Sequence, residues 1–180
     1  MQLFLWAAIV VGSVILDQIT KFLAVRDLMP IGFHVLWEGV LGFRYVENTG
    51  AAFGMMQGQR WFFIILSTLA ILAITVYLIK YHKTVPPLLG VALSMIVGGG
   101  IGNQIDRIVN GFVVDFFEFL FIDFAVFNVA DCFVTVGAFL IVIDILFFDR
   151  DILSDQASST NKKKSAPSAA DGNTTDGGTQ

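Results

Sequence analysis

The sequence predicts an all-α membrane protein with four transmembrane helices and a small extracytoplasmic β-structured segment between the first two. Of its residues, 56% are hydrophobic and 14% are charged, and the mean hydropathy is +0.75. A soluble domain carries about 25% charged residues, so this chain has too little polar surface for a water-soluble protein. A membrane helix needs roughly 20 mainly apolar residues. Four stretches qualify, at about 3–24, 61–79, 87–106 and 126–148.

The first apolar stretch is predicted to be a retained membrane helix and not a cleaved signal peptide. The N-terminal sequence MQLFLWAAIVVGSVIL has no positively charged leading region. No clear small-x-small cleavage site follows it. Both features are needed for a secretory signal peptide.

The segment between helices one and two, about residues 28–60, is predicted to contain β-structure. It holds β-branched and aromatic residues, partial alternation around Phe43-Arg44-Tyr45, and turn signals at Gly39, Gly42 and ENTG. After helix two, YHKTVPP reads as a tight loop in which Pro86 opens helix three.

The last apolar stretch, 108–148, is too long for one span. Asp115, Glu118 and Asp123 interrupt it. We therefore predict that 108–125 is a non-spanning interfacial segment that leads into helix four. Residues 1–150 then form one four-helix domain, and the Ser-, Thr-, Gly- and Lys-rich tail, 151–180, is predicted to be disordered.

Polar motifs gather at one end of the predicted helices. Four spans place both termini on one side of the membrane. The far ends of helices one and three, the loop after helix one, segment 108–125 and the start of helix four then share the other side, which predicts a single site there. The side of the termini carries six Lys and Arg and the other side five, so the positive-inside rule slightly favours cytoplasmic termini.

Two aspartates near that face stand in apolar surroundings. Asp131 lies in FNVADCFVTVG, with Asn128 at i−3 and Thr135 at i+4 on the same helix face, and Asp115 lies in NGFVVDFFEF. Ionisable residues near membrane depth are functional candidates. Two carboxylates brought together in a low dielectric share a proton, so one can activate water while the other donates a proton.

The spacing leaves a structural alternative open. The two aspartates are sixteen residues apart (131 − 115), so they meet only if segment 108–125 folds back over the start of helix four. Otherwise Asp131 caps helix four and Asp115 is an interfacial charge, and structural ion pairs also perturb carboxylates.

Two further motifs carry polar residues at helical spacing. DQITK places Asp17 and Lys21 at i and i+4, where a local ion pair is favoured over a catalytic role. GGGIGNQIDR combines small residues for close helix packing with Asn103 and Arg107, which suit a peptide backbone or a lipid head group. A charge pair between Asp106 and Arg107 at the helix end is an equal alternative.

Other chemistries lack their residues. The sequence has no G-x-S-x-G or H-E-x-x-H motif, and His34 and His82 fall on opposite faces in this topology. The single Cys132 excludes an internal disulfide and a cysteine-based zinc site. The only basic run, 162–164, has no aromatic neighbours, which argues against nucleic-acid binding. We expect no metal, cofactor or nucleic-acid partner.

Taken together, five motifs resemble the lipoprotein signal peptidase (signal peptidase II) family. They are DQITK, ENTGAAFG, GGGIGNQIDR, VVDFFEF and FNVADCFVTVG, they appear in the family's order, and the resemblance covers about residues 10–148. It implies an intramembrane aspartic endopeptidase of the bacterial inner membrane. Such enzymes remove signal peptides from diacylglyceryl-modified prolipoproteins and cut just before the lipidated cysteine.

The resemblance also implies roles for individual residues. Asp115 and Asp131 match the catalytic dyad. The other matching positions line or support the site, with Asp17 and Lys21 in a supporting role; they are Asn48, Gly50, Asn103, Arg107, Asn128, Ala130, Asp17 and Lys21. The family implies cytoplasmic termini, an active site at the outer face, membrane lipids as partners, and inhibition by globomycin. The polar tail is a departure from the family's pattern.

Two other classes of function fit the sequence less well. A small carrier or channel would need polar groups through the midplane, and 61–79 is nearly all apolar. A membrane scaffold without catalysis leaves the paired Asp and Asn motifs unexplained.

Overall fold

The computed structural model describes residues 1–50 and 55–147. Within them, four α-helices are long and apolar enough to cross a membrane. The helices are α1 (Gln2–Leu23), α2 (Arg60–Lys80), α3 (Pro87–Val109) and α4 (Val129–Phe147). The four predicted spans are confirmed to within a few residues at each end. The predicted tail, 151–180, lies outside the described residues.

Three strands form one antiparallel sheet in the order β1-β2-β3, with β1 at Phe33–Trp37, β2 at Leu41–Asn48 and β3 at Val113–Phe119. The first two belong to the β-segment predicted between helices one and two. The third comes from segment 108–125, which the sequence predicted only as a non-spanning piece. Its pairing with β2 is non-local, so the alternation of a single segment could not reveal it.

The sheet packs against the end of the first helix. A π-helical turn, Ala24–Leu28, continues α1 toward the sheet. Ala24 and Leu28 form a buried cluster with Val114 and Phe116 of β3. Val114 and Phe116 are the residues on either side of Asp115 in β3, so this cluster fixes β3 relative to α1.

Helix α3 lies between the other helices and contacts them through glycines. A Cβ on Gly98 would meet the Ser13 side chain of α1 at 2.7 Å, and a Cβ on Gly99 would meet the Ala130 carbonyl oxygen of α4 at 2.4 Å. Neither distance is compatible with a real side chain. The glycines that the sequence assigned to packing therefore allow backbones to approach closely, as small residues do in membrane helix interfaces.

Candidate active site

Asp115 and Asp131 reach one cavity from different kinds of element. Asp115 is in the middle of β3, opposite Val46 of β2, and Asp131 is in the first turn of α4. Strand β3 is held in place by the buried Asp106 of α3, whose Oδ2 accepts a hydrogen bond from the Val114 amide at 3.0 Å. The fold therefore places segment 108–125 over the start of α4, as the dyad hypothesis requires.

Asn128 joins the two aspartates. Its Nδ2 donates to Oδ1 of Asp115 at 2.6 Å, and its backbone amide donates to Oδ2 of Asp131 at 3.0 Å. In return, Oδ1 of Asn128 accepts from the Asp131 amide at 3.0 Å. This reciprocal pair is a capping box with Asn at the cap and Asp three residues later. Asp131 thus caps its helix and also faces the cavity. A helix-capping role and a place in a pair of aspartates are therefore compatible for this residue.

Asp115 is held in a buried setting by two amides. It is 2% exposed, and Asn48 Nδ2 donates to its Oδ2 at 2.9 Å. Burial and the nearby charge of Asp131 raise the pKa of Asp115 to about 7, although the hydrogen bonds from Asn48 and Asn128 act to lower it. A carboxyl group with such a pKa is able to carry a proton near neutral pH.

Lys21 sets the orientation of Asn103. Lys21 Nζ donates to Asn103 Oδ1 at 2.9 Å, and an ammonium can only donate, so Asn103 must turn its Nδ2 the other way. That Nδ2 donates to Oδ1 of Asp131 at 2.8 Å. Asn103 Oδ1 also accepts from Asn128 Nδ2 at 3.0 Å. The direction of these hydrogen bonds is therefore set by the Lys21 ammonium.

The predicted ion pair of Asp17 and Lys21 forms and has a wider role. Lys21 Nζ lies 2.9 Å from Asp17 Oδ2 and 3.0 Å from Asp106 Oδ2, and all three side chains are buried. Asp17 Oδ1 also accepts from the Ala130 amide at 2.9 Å, which caps the start of α4. Asp106 thus pairs with Lys21 and supports β3, whereas the sequence had offered Arg107 as its partner.

Arg107 and Gly50 complete the set of predicted residues. Arg107 Nη2 donates to the Gly50 carbonyl oxygen at 3.3 Å, and the Gly50 amide donates to Asn48 Oδ1 at 2.9 Å. A Cβ at Gly50 would meet the Met55 carbonyl oxygen at 2.4 Å, so no larger residue fits there. All ten predicted site residues therefore belong to one connected polar network or to its immediate support.

The cavity beside the two aspartates has a volume of about 520 Å³. The surface that lines the cavity is mostly apolar. The lining residues are Asn48, Asn103, Arg107, Val113, Asp115, Phe119, Phe124, Ala125, Val126, Phe127, Asp131, Cys132, Val134, Thr135 and Val136. A mostly apolar cavity with a few convergent polar groups is typical of a site for an apolar substrate.

The family model of signal peptidase II matches residues 9–147 of this chain. The chain belongs to the signal peptidase II family. This family consists of aspartic peptidases, so the protein is a membrane peptidase of that class.

Curated relatives carry the same family name. The lipoprotein signal peptidase of Caldanaerobacter subterraneus subsp. tengcongensis is 46% identical over 133 residues, which cover 74% of this chain and 90% of the relative. The lipoprotein signal peptidase of Symbiobacterium thermophilum is 42% identical over 140 residues, covering 77% and 91%. That of Brevibacillus brevis is 40% identical over 146 residues, covering 81% and 95%.

Solved structures have the same fold as this signal peptidase II family member. A bacterial membrane enzyme determined by the in meso method at 2.3 Å resolution matches with a TM-score of 0.70 and 35% identity. The match covers 78% of this chain and 87% of that one. A second bacterial membrane enzyme, determined by the same method at 1.9 Å, has a TM-score of 0.68 and 34% identity, with 79% and 93% covered.

Sequence reasoning missed part of the candidate site of this signal peptidase II family member. It did not identify Asp106 as a support of β3 and of Lys21, because the contact joins residues 85 positions apart (106 − 21). It also missed the aromatic wall of the cavity, formed by Phe119, Phe124 and Phe127. The Phe-rich composition of 112–127 was the available signal, but it did not say which rings face the cavity.

Proposed function

We propose that this protein removes signal peptides from diacylglyceryl-modified prolipoproteins and cuts just before the lipidated cysteine, with Asp115 and Asp131 as its catalytic dyad. The observation that carries the assignment is the bridge through Asn128, which holds a buried strand carboxyl and a helix-capping carboxylate against one cavity. The names of the relatives supply the substrate class.

The environments of the two carboxyl groups divide the roles between them. Asp131 accepts hydrogen bonds from Asn103 and Asn128 and lies at a helix N-terminus, where the helix dipole favours an anion. Asp131 is therefore the general base. Asp115, whose pKa is raised to about 7 by burial, is the general acid.

The reaction then balances without a cofactor. Asp131 takes a proton from a water molecule while the oxygen of that water attacks the scissile carbonyl carbon. Asp115 gives its proton to the carbonyl oxygen. The tetrahedral intermediate collapses when the carbon–nitrogen bond breaks and the leaving amine takes the proton held by Asp131. Asp115 recovers its proton from the hydroxyl group as the carbonyl reforms.

The remaining predicted residues hold the substrate or the dyad. Asn103 and Asn128 orient Asp131, Asn48 orients Asp115, and the apolar wall accepts the signal peptide and the acyl chains. Arg107, at the cavity edge beside Gly50, binds a carbonyl group of the substrate. Globomycin inhibits by occupying this cavity.

The site lies at the outer face of the bacterial inner membrane, with the termini in the cytoplasm. The parity of the four spans supports one face for the sheet, the end of α3 and the start of α4. The slight excess of Lys and Arg on the side of the termini supports the orientation.

Cleavage by variants of the dyad tests the proposal. We expect Asp115→Asn and Asp131→Asn each to lower the turnover of a purified diacylglyceryl-modified prolipoprotein by at least about a hundredfold, because each removes a positioned acid or base. Asp123→Asn, an exposed aspartate on the same connection, is the matched control and should cleave normally. Full activity should persist with a chelator. Normal cleavage by either dyad variant would refute the assignment.

A further inference from the structure

Helix α2 contacts the rest of the protein through a narrow face. Of its residues only Leu78 is buried, and side chains such as Trp61, Ile65 and Leu69 are more than half exposed. None of the ten predicted site residues lies on it. Near its N-terminal end, however, α2 contacts α3 on both sides of Arg107.

The ring of Phe63 lies against the Arg107 guanidinium. The Arg107 Cζ is 5.2 Å from the ring centroid, within the roughly 6 Å range of a cation–π interaction. Among the described residues, Arg107 makes no ion pair. Its hydrogen bond to the Gly50 carbonyl, at 3.3 Å, is long. The Phe63 ring therefore contributes to holding this side chain in place.

Polar contacts on either side of Phe63 fix where it sits along α3. One turn further along α2, Ser67 donates to the Gln104 side chain, and Gln104 donates to Thr68. Gln104 is three residues before Arg107, on the adjacent turn of α3. On the other side of Phe63, Arg60 Nη2 donates to the Ile108 carbonyl oxygen at 2.9 Å. These bonds prevent α2 from sliding or rotating relative to the Arg107 side chain.

We propose that Phe63 is a positioning residue for the peptidase: it presents the Arg107 guanidinium to the substrate, and the Gln104 contacts with Ser67 and Thr68 hold Phe63 in register. The inference rests on the proposed function, since it takes Arg107 to bind a substrate carbonyl. It gives α2 a role in substrate binding although the helix contributes no residue to the lining of the cavity.

A double-mutant cycle tests this role. We expect Phe63→Leu to raise KM for the lipidated prolipoprotein by roughly three- to tenfold with a smaller change in kcat, because an unheld Arg107 binds more weakly. Phe63→Tyr keeps the aromatic face and should restore KM. In an Arg107→Gln background, Phe63→Leu should have no further effect. Phe139→Leu, the same change at a 63% exposed position of α4, is the matched control.

The outcomes separate the alternatives. An equal loss from Phe63→Leu in both backgrounds, or no loss in either, would overturn the positioning role. If Phe63→Leu does not fold, Gln104→Met is used instead, with the same KM effect expected and the same cycle against Arg107→Gln. An unchanged KM in Arg107→Gln alone would refute the substrate contact of Arg107 within an active peptidase. A wild-type protein that does not cleave would refute the proposed function itself.

Discussion

At the scale of single residues, three asparagines hold the carboxyl groups of the two aspartates in place. Each amide has one donor and one acceptor end, and each end is assigned by a partner that can only donate or only accept. Lys21 fixes Asn103, the Asp131 amide fixes Asn128, and the Gly50 amide fixes Asn48. The donor ends of all three then point at carboxylate oxygens. The site is therefore organised before any substrate arrives.

The raised pKa of Asp115 makes activity depend on pH. Since Asp115 acts as an acid, cleavage should decline as pH rises through about 7. Asn48 donates to the ionised form and so lowers this pKa. We expect Asn48→Leu to raise it and to move the alkaline limb of kcat/KM to higher pH by about one unit. Measuring kcat/KM from pH 5 to 9 checks the shift.

The control for this profile is Asn110→Leu, an exposed asparagine at the end of α3. Its alkaline limb should coincide with that of the wild type. A limb that stays in place or moves to lower pH in Asn48→Leu would contradict the assignment of Asp115 as the acid.

The buried ammonium of Lys21 should be costly to remove. Lys21→Met leaves Asp17 and Asp106 buried without their cation, and breaking one side of a buried pair costs about 3–5 kcal/mol. We expect a large fall in thermal stability in detergent and a loss of cleavage, because Asn103 loses its orientation. Lys80→Met, at the exposed end of α2, should change neither. A Lys21→Met variant as stable as Lys80→Met would show that the cluster is not a stabilising element.

At the scale of elements, glycines set the separation of α3 and α4. Gly99 lies where any Cβ would be 2.4 Å from a backbone oxygen of α4, and this contact is one residue from Asp131. We expect Gly99→Ala to push α4 away, lowering both the melting temperature and kcat. Gly12→Ala on α1 is the control, since nothing lies within 4 Å of its Cβ. Equal melting temperatures for the two variants, measured in the same detergent, would contradict this packing argument.

Strand β3 is the element whose conformation could not be predicted from its own sequence. Its sequence, VVDFFEF, has four buried residues in a row and so lacks the alternation of a half-buried strand. Pairing with β2 and the carboxylate of Asp106 supply the hydrogen bonds that make it a strand. Both partners are distant in sequence. The sequence therefore predicted that this segment does not span the membrane, but not that it extends the sheet.

At the scale of the whole molecule, the proposed orientation has a direct test. In a Cys132→Ser background, a cysteine introduced by Glu38→Cys between β1 and β2 should react with a membrane-impermeant thiol reagent added outside intact cells. Lys83→Cys, between α2 and α3, should react only after permeabilisation. Both positions are exposed in the structure. The reverse pattern of labelling would place the site on the cytoplasmic side.

The sequence by itself determined the four spans and the membership of its motifs in one family, and it identified the two aspartates as candidates for catalysis. Hydropathy is a property of each segment alone, and the motif residues are read directly from the chain. The positions of Asp17, Asn103, Asn128 and Arg107 were also predicted, because the parity of the four spans places them at the same membrane face as Asp131.

Only the tertiary structure decided how these residues act together. It brings β3 beside α4, so that Asn128 joins two aspartates from different elements. It shows that Asp131 both caps its helix and faces the cavity, a combination that spacing had presented as alternatives. It also gives Asp106 a role in holding β3. These relations depend on contacts between residues far apart in the chain, and such contacts leave no periodic signal in the sequence.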